Sequence, residues 1–184
     1  MRPLDEKDLA IVSLYSQRVE ISQEEIAREL KISQPAVAMR VKRLKSLGVL
    51  QFRAGVDPLK MGLHLAKVDV SAISASRVLS KFKDCPYFIG GFITTGRNNL
   101  CLLFMAEDIS TLESIVDNHL RVEEGVQEVE FNVIVSVING FIAPFKLFTK
   151  VGERQPCGSA IVCKDCKAFN EGLCRGCPAL VSKR

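Results

Sequence analysis

The chain has 184 residues, with 25 lysines and arginines against 21 aspartates and glutamates, and its apolar content of 47% is ordinary for a globular protein. It contains no apolar run long enough to cross a membrane and no basic-then-apolar secretory start, so we expect a cytoplasmic protein without a membrane partner. Residues 1–56 carry a net charge of +3, residues 57–149 of −3 and residues 150–184 of +4. Two basic ends around an acidic middle favour contact between the ends and a polyanion.

The first part of the chain predicts three helices followed by a short strand. Residues 4–17 carry an apolar stripe and acidic residues in their first turn, which favours a helix. Residues 22–50 predict two short helices joined by a tight turn, and Ser22 and Glu25 have the spacing of a capping box. This layout is typical of a helix-turn-helix, whose second helix enters the major groove of DNA. Residues 49–55 predict a strand and turn, the wing of a winged helix.

The second of these helices predicts two kinds of DNA contact. Residues near the start of a recognition helix reach base edges, whereas lysine and arginine bind phosphates. The residues assigned to base edges are Ser33, Gln34, Ala36 and Met39, since glutamine pairs with adenine and apolar side chains contact the thymine methyl group. The basic residues assigned to DNA are Arg40, Lys42, Arg43, Lys45 and, on the wing, Arg53. The alternative is a helix pair with a solvated basic face, or a winged helix used for protein contact.

The middle of the chain predicts a second domain. Residues 57–64 contain Asp-Pro and Gly, which break periodicity and indicate a hinge. Residues 65–150 then follow the order strand-helix-strand-strand-helix-strand, with a long strand over 126–138 and an added edge strand over 141–148. That order predicts a ferredoxin-like βαββαβ arrangement, an αβ sandwich with both helices on one face of an antiparallel sheet. Apolar side chains on the other face favour dimerisation.

Five of the seven cysteines fall in the last 28 residues, which argues for a metal site or reactive thiols. Cys163 with Cys166, and Cys174 with Cys177, form two Cys-x-x-Cys pairs, a pattern that completes four thiolate ligands. Zinc would take these four and leave Cys157 spare. A [4Fe–4S] cluster also takes four thiolates, and the position of Cys157 permits it as a ligand. A thiol switch or a disordered tail are the other interpretations.

The remaining cysteines and the histidines give no metal pattern. Cys85 and Cys101 are interpreted as small packing residues, and His64 and His119 lie apart in sequence without ligand spacing. The predicted fold class is therefore α+β. The predicted domains are a winged helix-turn-helix over 1–56, a hinge over 57–64, a ferredoxin-like ligand-binding and oligomerisation domain over 65–150, and a cysteine-rich metal-binding tail over 151–184.

Three segments resemble one known family, Lrp/AsnC, the feast/famine regulators of bacteria and archaea. LDEKDLAIVSLY is similar to the first helix of that family, ISQEEIARELKISQPAVAMRVKRLKSLGVL to its helix-turn-helix, and VDPLKMGL to its hinge. The resemblance covers residues 4–140. It implies a DNA-binding transcription regulator that forms dimers or rings of dimers through its sheets and binds amino acids near the dimer–dimer interface.

Two features depart from this family. The turn after the second strand of the middle domain commonly reads Gly-x-x-Asp in the family, and here Asn99 stands where aspartate is expected. The resemblance assigns effector binding to Gly96, Arg97, Asn98 and Asn99, and the missing carboxylate puts the usual amino-acid effector in doubt. The cysteine tail resembles small modules appended to various proteins, notably in methane-producing archaea.

These observations predict a transcription regulator rather than an enzyme, because the sequence shows no acid–base pair and no nucleophile beside a base. We expect it to bind double-stranded DNA at a pseudo-palindromic operator, with recognition helices about 34 Å apart or a multiple of that distance. The tail is expected to sense redox state or metal through zinc or an iron–sulfur cluster. The alternatives are a metal- or cluster-carrying enzyme subunit, or an assembly protein that does not bind DNA.

Overall fold

The computed structural model describes residues 3–147 and 163–180 of the chain. The chain divides into two compact units, Met1–Arg53 and Ala54–Arg184. The predicted ligand Cys157 lies outside the described residues. In the described part of the chain, no helix combines the length and the apolar character needed to cross a membrane.

The first unit contains three helices, α1 (Glu6–Gln17), α2 (Gln23–Glu29) and α3 (Gln34–Ser46). Asp5 caps α1 and Ser22 caps α2, each in a capping box in which the side chains three residues apart bond to each other's backbone N–H. Apolar side chains from all three helices pack into one core: Ile11, Tyr15, Ile21, Ile26, Ala27, Val37, Val41, Leu44 and Leu50. This core holds α2 and α3 in the arrangement predicted for a helix-turn-helix.

The wing segment differs from its prediction. Residues 49–55, all within the described part of the chain, form no strand. Phe52 instead packs edge-on against Tyr15, with ring centroids 5.0 Å apart, and Lys45 Nζ lies 4.8 Å from the centroid of the Phe52 ring. A strand needs a neighbouring strand to pair with, whereas here the backbone N–H groups of Val49 and Leu50 donate to the Leu44 carbonyl at the end of α3. Arg53 therefore lies outside any strand.

The second unit contains an antiparallel sheet with helices on one face. Its strands are β1 (His64–Ala72), β2 (Phe88–Ile93), β3 (Leu100–Ala106) and β4 (Val126–Ile134), in the spatial order β2-β3-β1-β4. The helices α4 (Ala75–Lys81) and α5 (Ile109–His119) connect β1 to β2 and β3 to β4. This is the predicted βαββαβ fold, and the predicted α+β class is confirmed.

The two faces of the sheet have different surroundings. One face packs on α4 and α5 around Phe82, Phe104 and Leu112, which are at most 1% exposed. On the other face a smaller cluster forms around Leu65 and Met105. This second cluster explains two corrections to the predicted strands, because the chain after β4 turns to cover it.

The strand predicted over 126–138 ends at Ile134, and the edge strand predicted over 141–148 is absent from its described residues up to 147. That segment forms a single antiparallel bridge, between Val56 and Ala143. Side chains that alternation assigned to strands, among them Val137 and Phe141, pack against the Leu65 cluster instead.

Candidate nucleic-acid interface and cysteine module

The outer surface of α3 presents the residues predicted to read DNA bases. Val37, Val41 and Leu44 face the core, which leaves the opposite side of the helix to solvent. Ser33 and Gln34 are exposed and Ala36 is half-buried. Met39 is 71% exposed, so its side chain is available for contact outside the unit. A helix with this surface can enter a major groove and place apolar and amide groups against base edges.

Arg40 is engaged within the first unit. Its Nη1 lies 2.8 Å from both carboxylate oxygens of Asp5 and 2.8 Å from Oδ1 of Asp8. Asp8 is fully buried, so the ion pair neutralises a carboxylate that has no access to water. The hydrogen bond from Arg40, joined by one from the Asp8 N–H, lowers the pKa of Asp5 to about 2. Arg40 thus ties α3 to the start of α1.

The other basic residues of this region differ in their exposure and in whether they have partners within the unit. Arg43 shares Asp8, with an Nη1–Oδ2 distance of 3.4 Å, and its Nη2 donates to the Pro3 carbonyl at 3.3 Å. Lys42 is exposed, and the ammonium group of Lys45 lies over the Phe52 ring. The sequence does not reveal the partners of the two arginines, because the acidic residues precede them by more than 30 positions.

The predicted effector turn is ordered by Asn99. Its Nδ2 donates to the Ala72 carbonyl at 2.8 Å, and its Oδ1 accepts from the Ala72 N–H at 3.0 Å. Only an amide can serve both groups, since an ionised carboxylate cannot donate. Arg97 pairs with Glu128 at 2.9 Å, and Gly96 has a positive φ of 108° that suits the turn. Asn98 Oδ1 is buried without a hydrogen-bond partner within the described residues.

Residues 163–180, the cysteine module, form a short 3₁₀ turn over Cys163–Asp165 and a one-turn helix, α6 (Lys167–Asn170). Backbone N–H groups point at two sulfurs: the Cys177 N–H donates to Cys163 Sγ at 3.3 Å, and the Gly176 N–H donates to Cys174 Sγ at 3.4 Å. Such N–H···S hydrogen bonds stabilise thiolates that are bound to metal. Burial raises the pKa of the Cys174 thiol, while hydrogen bonds from Gly176 and Thr111 act in the opposite direction.

The module docks on the second unit through polar contacts. Tyr87 Oη donates to the Gly176 carbonyl at 2.6 Å in a buried position. Arg175 donates through its backbone to Thr111 Oγ1 at 3.0 Å and through Nε to Asp108 Oδ2 at 2.8 Å. Although burial works against ionisation of Asp108, hydrogen bonds from Thr111 and Arg175 hold its pKa at about 2.

A cavity lies between the module and α5. Its wall contains four of the five predicted metal ligands, namely Cys163, Cys166, Cys174 and Cys177. Cys85, Tyr87, Asn118 and His119 contribute to the same wall. Among residues 3–147 and 163–180, however, no three histidine, cysteine, aspartate or glutamate side chains are close enough together to hold one metal ion. The four thiols therefore line one shared cavity.

His119 has an unmet hydrogen-bonding group beside this cavity. Its Nδ1 is buried and has no partner in the part of the chain that the structure describes. Burial, assisted by the charge of Lys81, lowers the pKa of His119 to about 4, so the imidazole is neutral at neutral pH. An orphaned polar atom in such a place is the mark of a missing partner.

The sequence missed the residues that surround the module. Tyr87, Asn118 and His119 come from β2's leading loop and from α5, far from the cysteines in the chain. Cys85, interpreted as a packing residue, is buried in the core of the unit and also lines the cavity. No local pattern in the sequence signals these contacts.

Comparison with known proteins agrees with this architecture. Residues 4–51 match a family model described as winged helix-turn-helix DNA-binding. The HTH-type transcriptional regulator Ptr1 of Methanocaldococcus jannaschii is 32% identical over 113 residues, which cover 59% of this chain and 76% of that protein.

Two solved structures have the same fold. LrpC of Bacillus subtilis gives a TM-score of 0.63 at 25% identity, covering 75% of this chain and 99% of the other. AsnC of E. coli gives a TM-score of 0.63 at 19% identity, and the match covers 74% of this chain and 95% of AsnC. At this low identity the match shows the fold alone. The related proteins are named as transcriptional regulators and not as enzymes. The chain belongs to the Lrp/AsnC family of helix-turn-helix transcriptional regulators and, like them, is a DNA-binding regulator.

Proposed function

We propose that this regulator reads a specific DNA sequence with the outer face of α3. The exposed side chain of Met39 carries the proposal, because it places an apolar group on the outer face of α3, where it can contact a thymine methyl group. Ser33, Gln34 and Ala36 extend the same base-reading surface, and Lys42 is placed to contact phosphate. Arg40 and Arg43 already have carboxylate partners, so for them DNA phosphates compete with Asp5 and Asp8.

The test starts from a duplex selected out of a random library by repeated binding to the full-length protein. Met39→Ala is expected to relax the preference at one or two base positions by about 1–3 kcal/mol. Lys42→Ala is expected to weaken binding to all sequences equally and to lower the salt slope by about one. Lys60→Ala, on an exposed lysine of the other unit, is the matched control and should change neither. Equal sequence preference in Met39→Ala and wild type would overturn the assignment.

We also propose that two or more chains associate through the second unit. Large apolar side chains are exposed on and beside its sheet, among them Phe92 at 60%, Val135 at 90% and Ile138 at 85%. Phe92 lies on one edge strand, and Val135 and Ile138 follow the other, so apolar surface at both edges of the sheet supports an interface between copies of the chain. Ile138→Glu combined with Val135→Glu is expected to lower the mass measured by light scattering, whereas Val122→Glu, in a loop, is the control.

The cysteine module is proposed to bind a [4Fe–4S] cluster through Cys163, Cys166, Cys174 and Cys177. In a tetrahedral zinc site the sulfurs lie about 3.8 Å apart, given a zinc–sulfur bond of about 2.3 Å. The four thiols line one cavity, and among the described residues no three of the side chains that bind metals form a single-ion site. Ligands around a larger shared space are what a cluster requires, because each of its irons takes one thiolate.

Two further observations support a bound group in this cavity. The N–H···S hydrogen bonds to Cys163 and Cys174 supply donors that thiolates need when they carry negative charge. The orphaned Nδ1 of His119 lacks a partner that a cluster sulfide or a cysteine sulfur can provide. When bound, the cluster supplies one-electron chemistry and holds the module in its folded position.

The proposed role of the cluster is to control DNA binding. The docked module is fastened to α5 and to the start of β2, so cluster binding stabilises the unit through which chains associate. We expect cluster loss to weaken DNA binding by about tenfold, a typical coupling between two sites.

The cluster proposal is tested on full-length protein purified without oxygen. We expect a brown protein with about four iron atoms and four sulfides per chain and little zinc. A colourless protein with one zinc per chain would overturn the cluster and keep a metal site. Affinity for the selected duplex is then measured by fluorescence anisotropy before and after removal of iron by a chelator. Equal affinities would overturn the regulatory role.

The turn at 96–99 remains the predicted effector site. Both polar atoms of the Asn99 side chain form hydrogen bonds with the backbone of β1, so this side chain is not available to bind the ammonium group of an amino acid. We propose that any effector contacts Asn98, whose buried Oδ1 lacks a partner within the described residues, or the exposed Arg97. Thermal shift across a panel of amino acids, with Asn98→Ala as the variant, tests this proposal.

A further inference from the structure

Helix α5 faces the cysteine module with a polar stripe. Thr111 is fully buried, Ser114 nearly so, and Asn118 is half-buried. Buried polar residues on a helix that packs against its own domain need partners. Thr111 accepts a hydrogen bond from the backbone N–H of Arg175, and Asn118 donates one to Cys166 Sγ.

Asn118 makes two hydrogen bonds with the two N–H groups of its amide. Nδ2 donates to the Ser114 carbonyl at 2.9 Å and to Cys166 Sγ at 3.7 Å. The first bond fixes the orientation of the amide on the helix, and the second is thereby directed at the sulfur. A sulfur bound to iron carries more negative charge than a thiol and is the better acceptor.

We propose that Asn118 is a positioning residue of the metal centre, which raises the reduction potential of the cluster and slows its loss. The inference rests on the proposed cluster and assigns part of its site to the sheet-bearing unit. Reduction of [4Fe–4S]²⁺ to [4Fe–4S]⁺ adds one electron, and the added negative charge is shared by the sulfurs. A donor aimed at one of these sulfurs stabilises the reduced form more than the oxidised form.

Variants of Asn118 distinguish a role for its hydrogen bond from a role in packing alone. Asn118→Leu keeps the size of the side chain and removes both donors, whereas Asn118→Gln keeps the amide. Asp117→Leu is the matched control, because Asp117 precedes it on α5 and is exposed beside Arg121. If Asn118→Leu does not fold, as judged by circular dichroism, Asn118→Ala takes its place with the same expectation.

Two measurements on the anaerobically purified full-length protein test it. In a titration with dithionite as the electron donor, followed by electron paramagnetic resonance, we expect a lower midpoint potential in Asn118→Leu. Capture of iron by a chelator is expected to be about tenfold faster in the same variant. Asn118→Gln and Asp117→Leu should match the wild type in both measurements.

The outcomes distinguish this inference from the proposed function. A wild-type protein without iron overturns the cluster, and the role of Asn118 with it. A wild-type protein that holds the cluster, with an unchanged potential and release rate in Asn118→Leu, overturns the inference alone. A lower potential in Asp117→Leu as well as in Asn118→Leu would also overturn it, since the effect would then not depend on the hydrogen bond to Cys166.

Discussion

The helix-turn-helix unit and the surroundings of the cysteine module differ in whether their buried polar groups have partners. In the first unit the buried carboxylate of Asp8 is met by Arg40 and Arg43. Beside the cysteine module, the buried Nδ1 of His119 has no partner among the described residues. Both regions were identified from clustered residues of one chemical type, basic in one and sulfur-bearing in the other.

The difference shows which clusters await a ligand. A charged side chain with an internal partner gains little from a second one, because it must give up the first. An orphaned buried group gains a hydrogen bond as soon as a ligand arrives. The basic cluster on α3 is thus partly structural, and we expect exposed residues such as Met39 and Lys42 to make more of the DNA contact.

The largest effect is expected from breaking the module. Replacing Cys174 and Cys177 by serine removes two of four thiolate ligands, so bound metal should fall to less than about a tenth of the wild-type amount. Hydrogen exchange of residues 163–180 should become fast at the same time, since metal binding holds the module in place. Metal analysis and mass spectrometry measure both quantities.

Cys101→Ser is the control for that experiment, because Cys101 lies on β3 opposite Asp69 and away from the cavity. Its metal content should equal that of the wild type. Full metal binding by the double variant would contradict the prediction. It would mean that Cys174 and Cys177 are not metal ligands, and the proposed difference between the two regions would be lost.

The next largest effect is expected from breaking the ion pairs of Asp8 in the first unit. Asp8→Asn leaves Arg40 and Arg43 with less compensation beside a buried position, and it should destabilise the unit by about 3 kcal/mol. Hydrogen exchange of peptides from α1 and α3, measured on the full chain, gives this free energy of opening.

Glu24→Gln removes one partner of an exposed pair with Arg28 in the same unit and should change the free energy by less than about 0.5 kcal/mol. If Asp8→Asn is as mild as Glu24→Gln, the arginines are not held by the unit. They would then be as available to DNA as their sequence suggests.

The smallest effect is the acid titration of Asp5. Arg40 depresses the folded-state pKa of this carboxyl to about 2 from the ordinary value of 3.8. Its contribution to stability is therefore present above pH 3.8 and is lost as the pH falls through about 2. Nuclear magnetic resonance should find the low midpoint in the wild type and a higher midpoint in Arg40→Ala, where the hydrogen bond from the Asp8 N–H remains. A normal midpoint in both proteins would show that the ion pair does not form in solution.

The sequence was sufficient for the order of the elements, because apolar periodicity separates helices from strands. Alternation alone could not tell whether a segment has a neighbour to pair with. For this reason the strand predicted at 49–55 is absent, and the last strand stops at Ile134. In both cases aromatic or aliphatic side chains pack on a core without joining a sheet.

For the candidate sites, local spacing was informative and long-range contact was not. Two Cys-x-x-Cys pairs identify the four cysteines that share the cavity wall. The partners of that cavity on α5, and the acidic partners of Arg40, are separated from them by more than 30 residues. Asn99 differs from these examples, because the departure from the family's aspartate could be read from the sequence. The structure then explains the asparagine by its two hydrogen bonds to the backbone of Ala72.

The hydrogen bond between Tyr87 and Gly176 joins residues 89 positions apart and has a consequence for synthesis. At about 5–20 residues per second, the ribosome delivers Gly176 several seconds or more after Tyr87. By then β2 and α5 have emerged and can fold, so the module meets a finished docking surface. If the proposed cofactor binds, its insertion would follow the folding of the sheet, since a chain with a faulty sheet offers its cysteines no place to dock.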